Sequence, residues 1–243
     1  MLKLALAPIL IAQGLWTRAR VPVLPEAAGP RKGVVGHGPS LRLLIVGDSS
    51  AAGVGVARQE QALAGYLSRE LAAQAQARVQ WQLVARSGIT SAQALALVRE
   101  AAPARADVAV AVLGVNDVVD QVSTRRAVAA REALTDWLLG TVAARHVVFS
   151  PLPPIHQFPA LPQPLRWVAG RDARRHDTAM ALWAARRDDV SHAPMAVTLG
   201  RDVMAHDGFH PGEPVYRLCG QALAVHIAQH VWPRIQINKE TTT

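Results

Sequence analysis

The chain has a single cysteine, Cys219, among its 243 residues, so no disulfide can form within it. It also lacks a long apolar run. The N-terminal run at residues 4–16 would make a helix of about 20 Å, which is shorter than the about 30 Å of hydrocarbon in a bilayer. No other segment is long enough either. Hydrophobic residues make up 50% of the chain, so it can bury a sizeable core, and its length fits one domain.

Acidic residues are fewer than basic ones, 18 against 26, which leaves a formal net charge of +8. The basic residues are scattered along the chain. No basic run is interleaved with aromatic residues, as a groove for single-stranded nucleic acid requires. The charge therefore indicates solvated helix faces, and we expect no nucleic acid partner.

The N-terminal apolar run at residues 4–16 allows two interpretations. Pro8 interrupts it, only Lys3 precedes it as a charge and basic residues follow it, which favours a helix packed on the domain or lying on a membrane surface. Its length also fits the core of a signal peptide. We expect a cytoplasmic protein, with residues 4–16 available for peripheral membrane contact, or an exported one if residues 1–28 are a signal segment.

After residue 40, strand-like and helix-like patterns alternate along the chain. The predicted strands span residues 41–47, 79–86, 107–114, 146–150 and 195–199. The predicted helices span residues 59–78, 91–102, 123–144, 165–189 and 213–231. This order predicts an α/β fold, in which helices cover both faces of a parallel five-stranded sheet as a three-layer sandwich.

The remaining segments set the expected domain boundaries. Residues 21–40 are rich in proline and glycine and are predicted to be an irregular connector. We therefore expect an N-terminal apolar segment and connector at residues 1–40, one folded domain at residues 41–235 and a short tail at residues 236–243.

Polar residues and glycine follow four of the five predicted strands. Ser49 comes after the first strand, Gly88 after the second and Asn116 after the third, while Asp207 and His210 follow the last. Since ligands bind beyond the carboxyl ends of parallel strands, these scattered residues are expected to meet at one edge of the sheet.

Ester hydrolysis needs a hydroxyl nucleophile, a base, a carboxylate that orients the base, and donors for the oxyanion. Ser49 is the candidate nucleophile, His210 the base and Asp207 the orienting carboxylate. The backbone N–H groups of Ser49 and Gly88, with the side-chain amide of Asn116, are the candidate oxyanion donors. The histidines and the cysteine show no metal-ligand spacing, so no metal is expected.

These residues resemble the SGNH hydrolases, also called the GDSL esterase/lipase family. Its four blocks occur in order as GDSS, SG, GVND and DGFHP, although the first block has serine where the family name has leucine. The resemblance implies a flavodoxin-like sheet, hydrolysis of esters through an acyl-enzyme without a cofactor, and the roles given above. The segments DSSAAGVG and LPQPLRW resemble a bacterial branch of esterases that act on simple acyl and aryl esters.

Three points stay open from the sequence. The same acyl-enzyme could react with water, a thiol or an alcohol, so a thioesterase or acyltransferase is an alternative. A basic membrane- or nucleic-acid-binding module on an inactive hydrolase fold is a third interpretation. The proline-rich segment at residues 151–167 either covers the core or forms a wall of the substrate pocket, and in the second case Phe158 and Trp167 would line that pocket.

Overall fold

The computed structural model of the chain describes residues 2–240. The strands are β1 (Lys32–Val35), β2 (Ser40–Gly47), β3 (Arg78–Ala85), β4 (Val108–Val112), β5 (His146–Phe149) and β6 (Val190–His192). The helices are α1 (Leu2–Ala5), α2 (Ala7–Arg20), α3 (Ser49–Ala52), α4 (Leu63–Gln74), α5 (Ser91–Ala101), α6 (Val115–Val119), α7 (Thr124–Gly140), α8 (Leu165–Ala184), α9 (Glu213–His226) and α10 (Trp232–Glu240).

The six strands form one sheet in the order β1-β3-β2-β4-β5-β6. The five strands from β2 to β6 pair in parallel, whereas β1 pairs antiparallel with β3 at one edge. Short apolar strands alternate with helices along the chain, and parallel neighbours need such crossover helices. The predicted three-layer α/β fold with five parallel strands is confirmed.

Both faces of the sheet are covered by helices. On β2, Leu43 and Ile45 join a core with α4 and α9, while Leu44 and Val46 join a second core with α5, α7 and α8 on the opposite face. All four side chains are fully buried. Burial on both faces explains why β2 has a continuous apolar sequence instead of an alternating one.

The last strand lies earlier in the chain than predicted. It is β6, and the predicted strand at residues 195–199 is wrong. The Ala193 N–H still bonds the Phe149 carbonyl at 2.9 Å, but Pro194 has no N–H with which to extend the ladder. The chain therefore leaves the sheet at this point and continues without regular secondary structure.

The two ends of the chain also differ from the expected domain boundaries. The connector at residues 21–40 contains strand β1, so part of it belongs to the sheet. At the other end α9 continues through a π-helical turn, Ile227–Val231, into α10, so the expected boundary at residue 235 falls inside a helix. Residues 241–243 of the expected tail lie outside the described residues.

The N-terminal apolar run forms α2, which packs against α8. Gln13 donates to the Gln163 carbonyl at 2.6 Å and accepts from the Leu165 N–H at 3.0 Å. The other side of α2 leaves Ile11 and Leu15 more than half exposed. Among the described helices, none combines the length and apolar character that crossing a membrane requires. Peripheral membrane contact through this run stays a prediction.

A buried ion pair joins two helices on one side of the sheet. Arg131 of α7 and Asp117 of α6 are each 1% exposed, and their side chains approach to 3.1 Å. Ser91, at the start of α5, donates its hydroxyl and its N–H to Asp117, and Arg131 donates to the Ser91 hydroxyl at 3.0 Å. This network fixes α6, the helix that carries Asn116, against α5 and α7.

Replacing Arg131 by methionine should lower the free energy of unfolding by about 3–5 kcal/mol, because Asp117 is left as a buried charge without its partner. Chemical denaturation measures the change. The double variant Arg131→Met/Asp117→Asn should recover part of the loss, since no unpaired charge remains. Arg125→Met, an exposed position on the same helix, should stay within about 0.5 kcal/mol of wild type. Equal losses for Arg131→Met and Arg125→Met would contradict the assigned network.

Candidate active site

Strand register places the candidate nucleophile beside two other strand ends. Gly47, the last residue of β2, is paired with Ala85 of β3 on one side and with Val112 of β4 on the other. The Asp48 N–H continues this pairing by donating to the Val112 carbonyl at 3.2 Å. Ser49 follows directly as the first residue of α3, so its hydroxyl stands at the carboxyl edge, between the ends of three strands.

The loop after α3 lies directly against the segment that carries His210. Gly55 has a φ of +106°, and a Cβ at this position would stand only 2.3 Å from the Pro211 carbonyl oxygen. The Tyr216 hydroxyl also donates to the Val54 carbonyl at 2.7 Å. Only glycine allows this conformation and this close approach, so the Gly55 loop helps to bring Ser49 and His210 to the same place.

Asp207 and His210 form a closed turn. One Asp207 carboxylate oxygen accepts the N–H groups of Phe209 and His210, both at 2.9 Å, and the other lies 2.6 Å from His210 Nδ1. Burial would raise the pKa of Asp207, but the hydrogen bonds from His210 and Phe209 lower that pKa below its usual value. The ionised carboxylate thus holds a proton on Nδ1 and leaves Nε2 free to act as a base.

Ser49 and His210 line one cavity of about 400 Å³. Most of its wall is apolar, with contributions from Val115, Leu152, Phe158, Val197, Leu199 and Met204. No hydrogen bond joins the Ser49 hydroxyl to His210 among the described residues, and in free enzymes this contact often forms only once substrate is bound. The arrangement brings a hydroxyl and an oriented imidazole together beside an apolar pocket.

Neither of the two further oxyanion candidates lines this cavity. Gly88 follows β3 with a φ of +79°, and apart from its chain neighbours no heavy atom lies within 4 Å of the position a Cβ would take, so open space adjoins this residue. The Asn116 amide nitrogen lies 3.0 Å from the Ile89 carbonyl and 3.4 Å from the Asp48 carboxylate. The longer of these two contacts leaves Asn116 able to give one N–H to a stronger acceptor.

Asp48, the residue before the candidate nucleophile Ser49, is buried. Its carboxylate accepts the Ser50 N–H at 3.0 Å, which caps α3. Burial raises the pKa of Asp48 to about 6, an effect that the Ser50 hydrogen bond and His210 only partly oppose. The Asp48 carboxylate thus bonds backbone close to it in the chain.

Of the two residues predicted to line the pocket, Phe158 does so and Trp167 does not. Phe158 is 3% exposed and contacts Phe209 edge to face, with ring centroids 5.2 Å apart. The prediction for Trp167 is wrong. This residue lies in the first turn of α8, is 42% exposed, and has the Arg171 guanidinium 5.3 Å from its ring centre. The helix begins at Leu165, and this turns the indole away from the cavity.

The proline-rich segment combines the two roles that the sequence left open. Ile155 and Leu161 are buried in a small apolar cluster with Phe158, so the segment covers part of the core. Leu152 and Phe158 also line the cavity, so it contributes a wall as well.

Several residues that shape the site were not predicted from the sequence. The segment after β6 lines the cavity, although it was predicted to be a strand. Glu26, in the connector, accepts the Ser87 N–H at 2.7 Å and its hydroxyl at 2.8 Å, which fixes the turn before Gly88. Burial tends to raise the pKa of Glu26, but the hydrogen bonds from Ser87 and Arg31 lower it overall. The burial of Arg131 could have been predicted, because its charge falls on the face of α7 that carries buried apolar residues.

Cys219 also lines the cavity. Burial raises the pKa of its thiol to about 12, so the thiol stays protonated and inert. Within residues 2–240, no three His, Cys, Asp or Glu side chains are grouped as ligands of a metal ion.

A family model described as "GDSL-like Lipase/Acylhydrolase family" matches residues 45–218, which is well over half of the chain. No curated protein matches the sequence.

Among solved structures, the lipase Lip_vut3 from a goat rumen metagenome is similar, with a TM-score of 0.65 and 17% identity over 78% of this chain and 98% of that one. The family 3 carbohydrate esterase of Clostridium thermocellum has a TM-score of 0.59 and 15% identity over 82% and 98%. The esterase EstA of a Pseudoalteromonas species, in a structure inhibited by monoethylphosphonate, has a TM-score of 0.53 and 18% identity over 83% and 99%. At these identities the likeness shows the fold.

Asp48→Asn should remove a pH-dependent cost of folding. Because the pKa of Asp48 rises to about 6 in the folded chain, ionisation opposes folding, and stability falls as pH rises from about 4 through 6. The shift corresponds to on the order of 3 kcal/mol at pH 8. The free energy of unfolding of Asp48→Asn relative to wild type should therefore increase between pH 4 and pH 8. Asp120→Asn, at an exposed aspartate, is the control, and a flat difference for both variants would refute the argument.

Proposed function

Because the chain belongs to the GDSL-like lipase/acylhydrolase family, we propose that it hydrolyses carboxylic esters through an acyl-enzyme formed on Ser49. Family membership agrees with the carboxylic ester hydrolase predicted from the motifs. The observation that supports the specific mechanism best is the Asp207–His210 pair, joined at 2.6 Å, on the wall of the cavity that also contains Ser49.

In the proposed mechanism, the Ser49 hydroxyl oxygen attacks the ester carbonyl carbon while His210 Nε2 takes its proton. His210 then gives this proton to the leaving alcohol oxygen as the carbon–oxygen bond breaks. Water repeats the sequence against the acyl group on Ser49 and releases the acid. Asp207 stays ionised throughout, holds the imidazole in the required tautomer and stabilises its charged form.

The proposed oxyanion donors are the N–H groups of Ser49 and Gly88 and the amide of Asn116. For Asn116 to donate, its 3.4 Å contact with Asp48 would be exchanged for a shorter bond to the developing oxyanion. An interaction that strengthens only as charge develops lowers the barrier without tightening substrate binding. Ile89 and Asp48 would act by holding the amide in place for this exchange.

The apolar wall of the cavity supports an acyl or aryl ester as substrate, since small pockets of this kind use apolar surface for affinity and a few polar groups for orientation. A thioesterase or an acyltransferase would use the same acyl-enzyme. A panel of 4-nitrophenyl esters and acyl-thioesters of graded chain length, with and without an added alcohol acceptor, separates the three activities.

Ser49→Ala should reduce ester hydrolysis by about 10⁴-fold or more, because the triad acts as a unit and loses its nucleophile. Ser50→Ala is a matched control, since Ser50 is the next residue and lines the same cavity; it should keep most of the activity. A phosphonate ester should label wild type and Ser50→Ala but not Ser49→Ala, as mass spectrometry would show. If Ser50→Ala were the inactive variant, the nucleophile would be misassigned, and if all three proteins were equally inactive, the proposed hydrolysis would fail.

Phe158→Leu should shift the chain-length preference towards longer acyl groups, with about a 10-fold change in the ratio of kcat/KM values for long and short esters. The smaller side chain enlarges the cavity but keeps the buried apolar cluster filled better than alanine would. Trp167→Ala is the control, since its ring lies outside the cavity, and its preference should match wild type. A shift in Trp167→Ala of the same size as in Phe158→Leu would show that the pocket is elsewhere.

A further inference from the structure

The apolar cavity has one polar end, formed by α8 and the 3₁₀ turn Ile155–Gln157. Arg174, Asp177 and His156 all line the cavity there. The turn lies directly on α8, since a Cβ at Gly170 would stand 2.5 Å from the Cβ of His156. The turn and α8 are therefore in close contact, and their polar side chains share the cavity with Ser49.

Arg174 is held towards this end by His156 but has no acidic partner. Its guanidinium Nη1 lies 3.3 Å from His156 Nδ1, and it donates there when the imidazole proton is on Nε2. Among the described residues, no carboxylate lies within 4 Å of this guanidinium, although ion pairs are formed by Arg131 and Arg187. A guanidinium has five N–H donors and keeps its charge at all working pH values, so most of its donors stay available.

Asp177, one turn further along α8, forms no ion pair with Arg174 and has other partners. One of its carboxylate oxygens accepts the Leu152 N–H at 2.8 Å and lies 2.9 Å from His192 Nε2. The carboxylate is thus engaged in fixing the wall of the cavity and the end of β6. Arg174 and His156 are both exposed, so this polar end lies where the cavity opens to solvent.

From this arrangement we propose that the cavity binds esters that carry a second, anionic group of the carboxylate class, with Arg174 as the residue that recognises it. The inference rests on the proposed ester hydrolysis and specifies its substrate. Arg174 would pair with the anion through its free N–H groups, His156 would orient the guanidinium, and the apolar wall would contact the chain between the anion and the ester.

Two pairs of substrates test the proposal, each differing only in charge. For an anion on the acyl side, the pair is the mono-4-nitrophenyl ester of suberic acid and its terminal amide. For an anion on the alcohol side, the pair is 4-acetoxybenzoate and 4-acetoxybenzamide. For each pair, the ratio of kcat/KM for the acid to kcat/KM for the amide is measured in wild type and variants, so that the intrinsic reactivity of each ester cancels.

Arg174→Gln should lower this ratio by about 10-fold for at least one pair, mainly through KM, because an amide replaces the charge at an unchanged site. Arg175→Gln is the matched control: Arg175 is the next residue on α8 and is exposed like Arg174, but it does not line the cavity, so its ratio should equal that of wild type. The pair that responds identifies the side of the ester that carries the anion. Ratios unchanged in Arg174→Gln, or lowered equally in Arg175→Gln, would overturn the proposal.

A binding measurement decides the question separately from turnover. In the Ser49→Ala protein, calorimetry compares the affinities of suberate and of its monoamide with and without Arg174→Gln. A loss of the preference for suberate in the Arg174 variant supports the anion site even if no ester is hydrolysed, in which case only the proposed hydrolysis fails. If wild type hydrolyses the esters but neither the kinetic ratio nor the suberate preference depends on Arg174, the hydrolysis stands and the anion site is refuted.

Discussion

The site depends on the parallel pairing of β2 between β3 and β4. Gly47 is in register with Ala85 and with Val112, so the chain leaves all three strands at the same level of the sheet. Residues separated by about forty to seventy positions, such as Asp48 and Asn116, thereby become neighbours. A slip of one residue in this pairing would turn each strand's side chains to the opposite face, which burial on both faces prevents.

Buried charge maintains the geometry around that edge. Asp48 caps the helix that starts at Ser49, Asp117 pairs with Arg131 behind α6, and Asp207 closes the turn before His210. Each carboxylate accepts hydrogen bonds, and these bonds fix the orientation of the neighbouring backbone. Asp48 differs from Asp207: burial outweighs hydrogen bonding for Asp48 and raises its pKa, whereas hydrogen bonding outweighs burial for Asp207 and lowers it. Fixing these polar groups in place therefore lowers the stability of the fold at Asp48, where the charge is buried.

Periodicity and strand-end motifs predicted the layers of the fold and the residues gathered at the edge, because both follow from the local chain. Contacts between distant segments could not be predicted in this way. Glu26 fixes the Ser87 turn from 61 residues away, and no pattern in a Pro- and Gly-rich connector indicates it. Trp167 was misplaced since the direction of an aromatic side chain depends on where its helix begins. The strand expected at residues 195–199 was an error of another kind, since Pro194 already signalled the end of pairing.

The departure of residues 195–199 from the sheet shapes the wall of the cavity. Had residues 195–199 continued the sheet, their side chains would have alternated between its two faces. Released from the ladder by Pro194, the segment instead lines the cavity with consecutive residues, Met195 to Leu199, and packs in one apolar cluster with Leu152 and Phe158. Two irregular segments therefore form much of the cavity wall, while Ser49 stands at a strand terminus. Residues of the irregular segments can thus change without disturbing the register that positions Ser49.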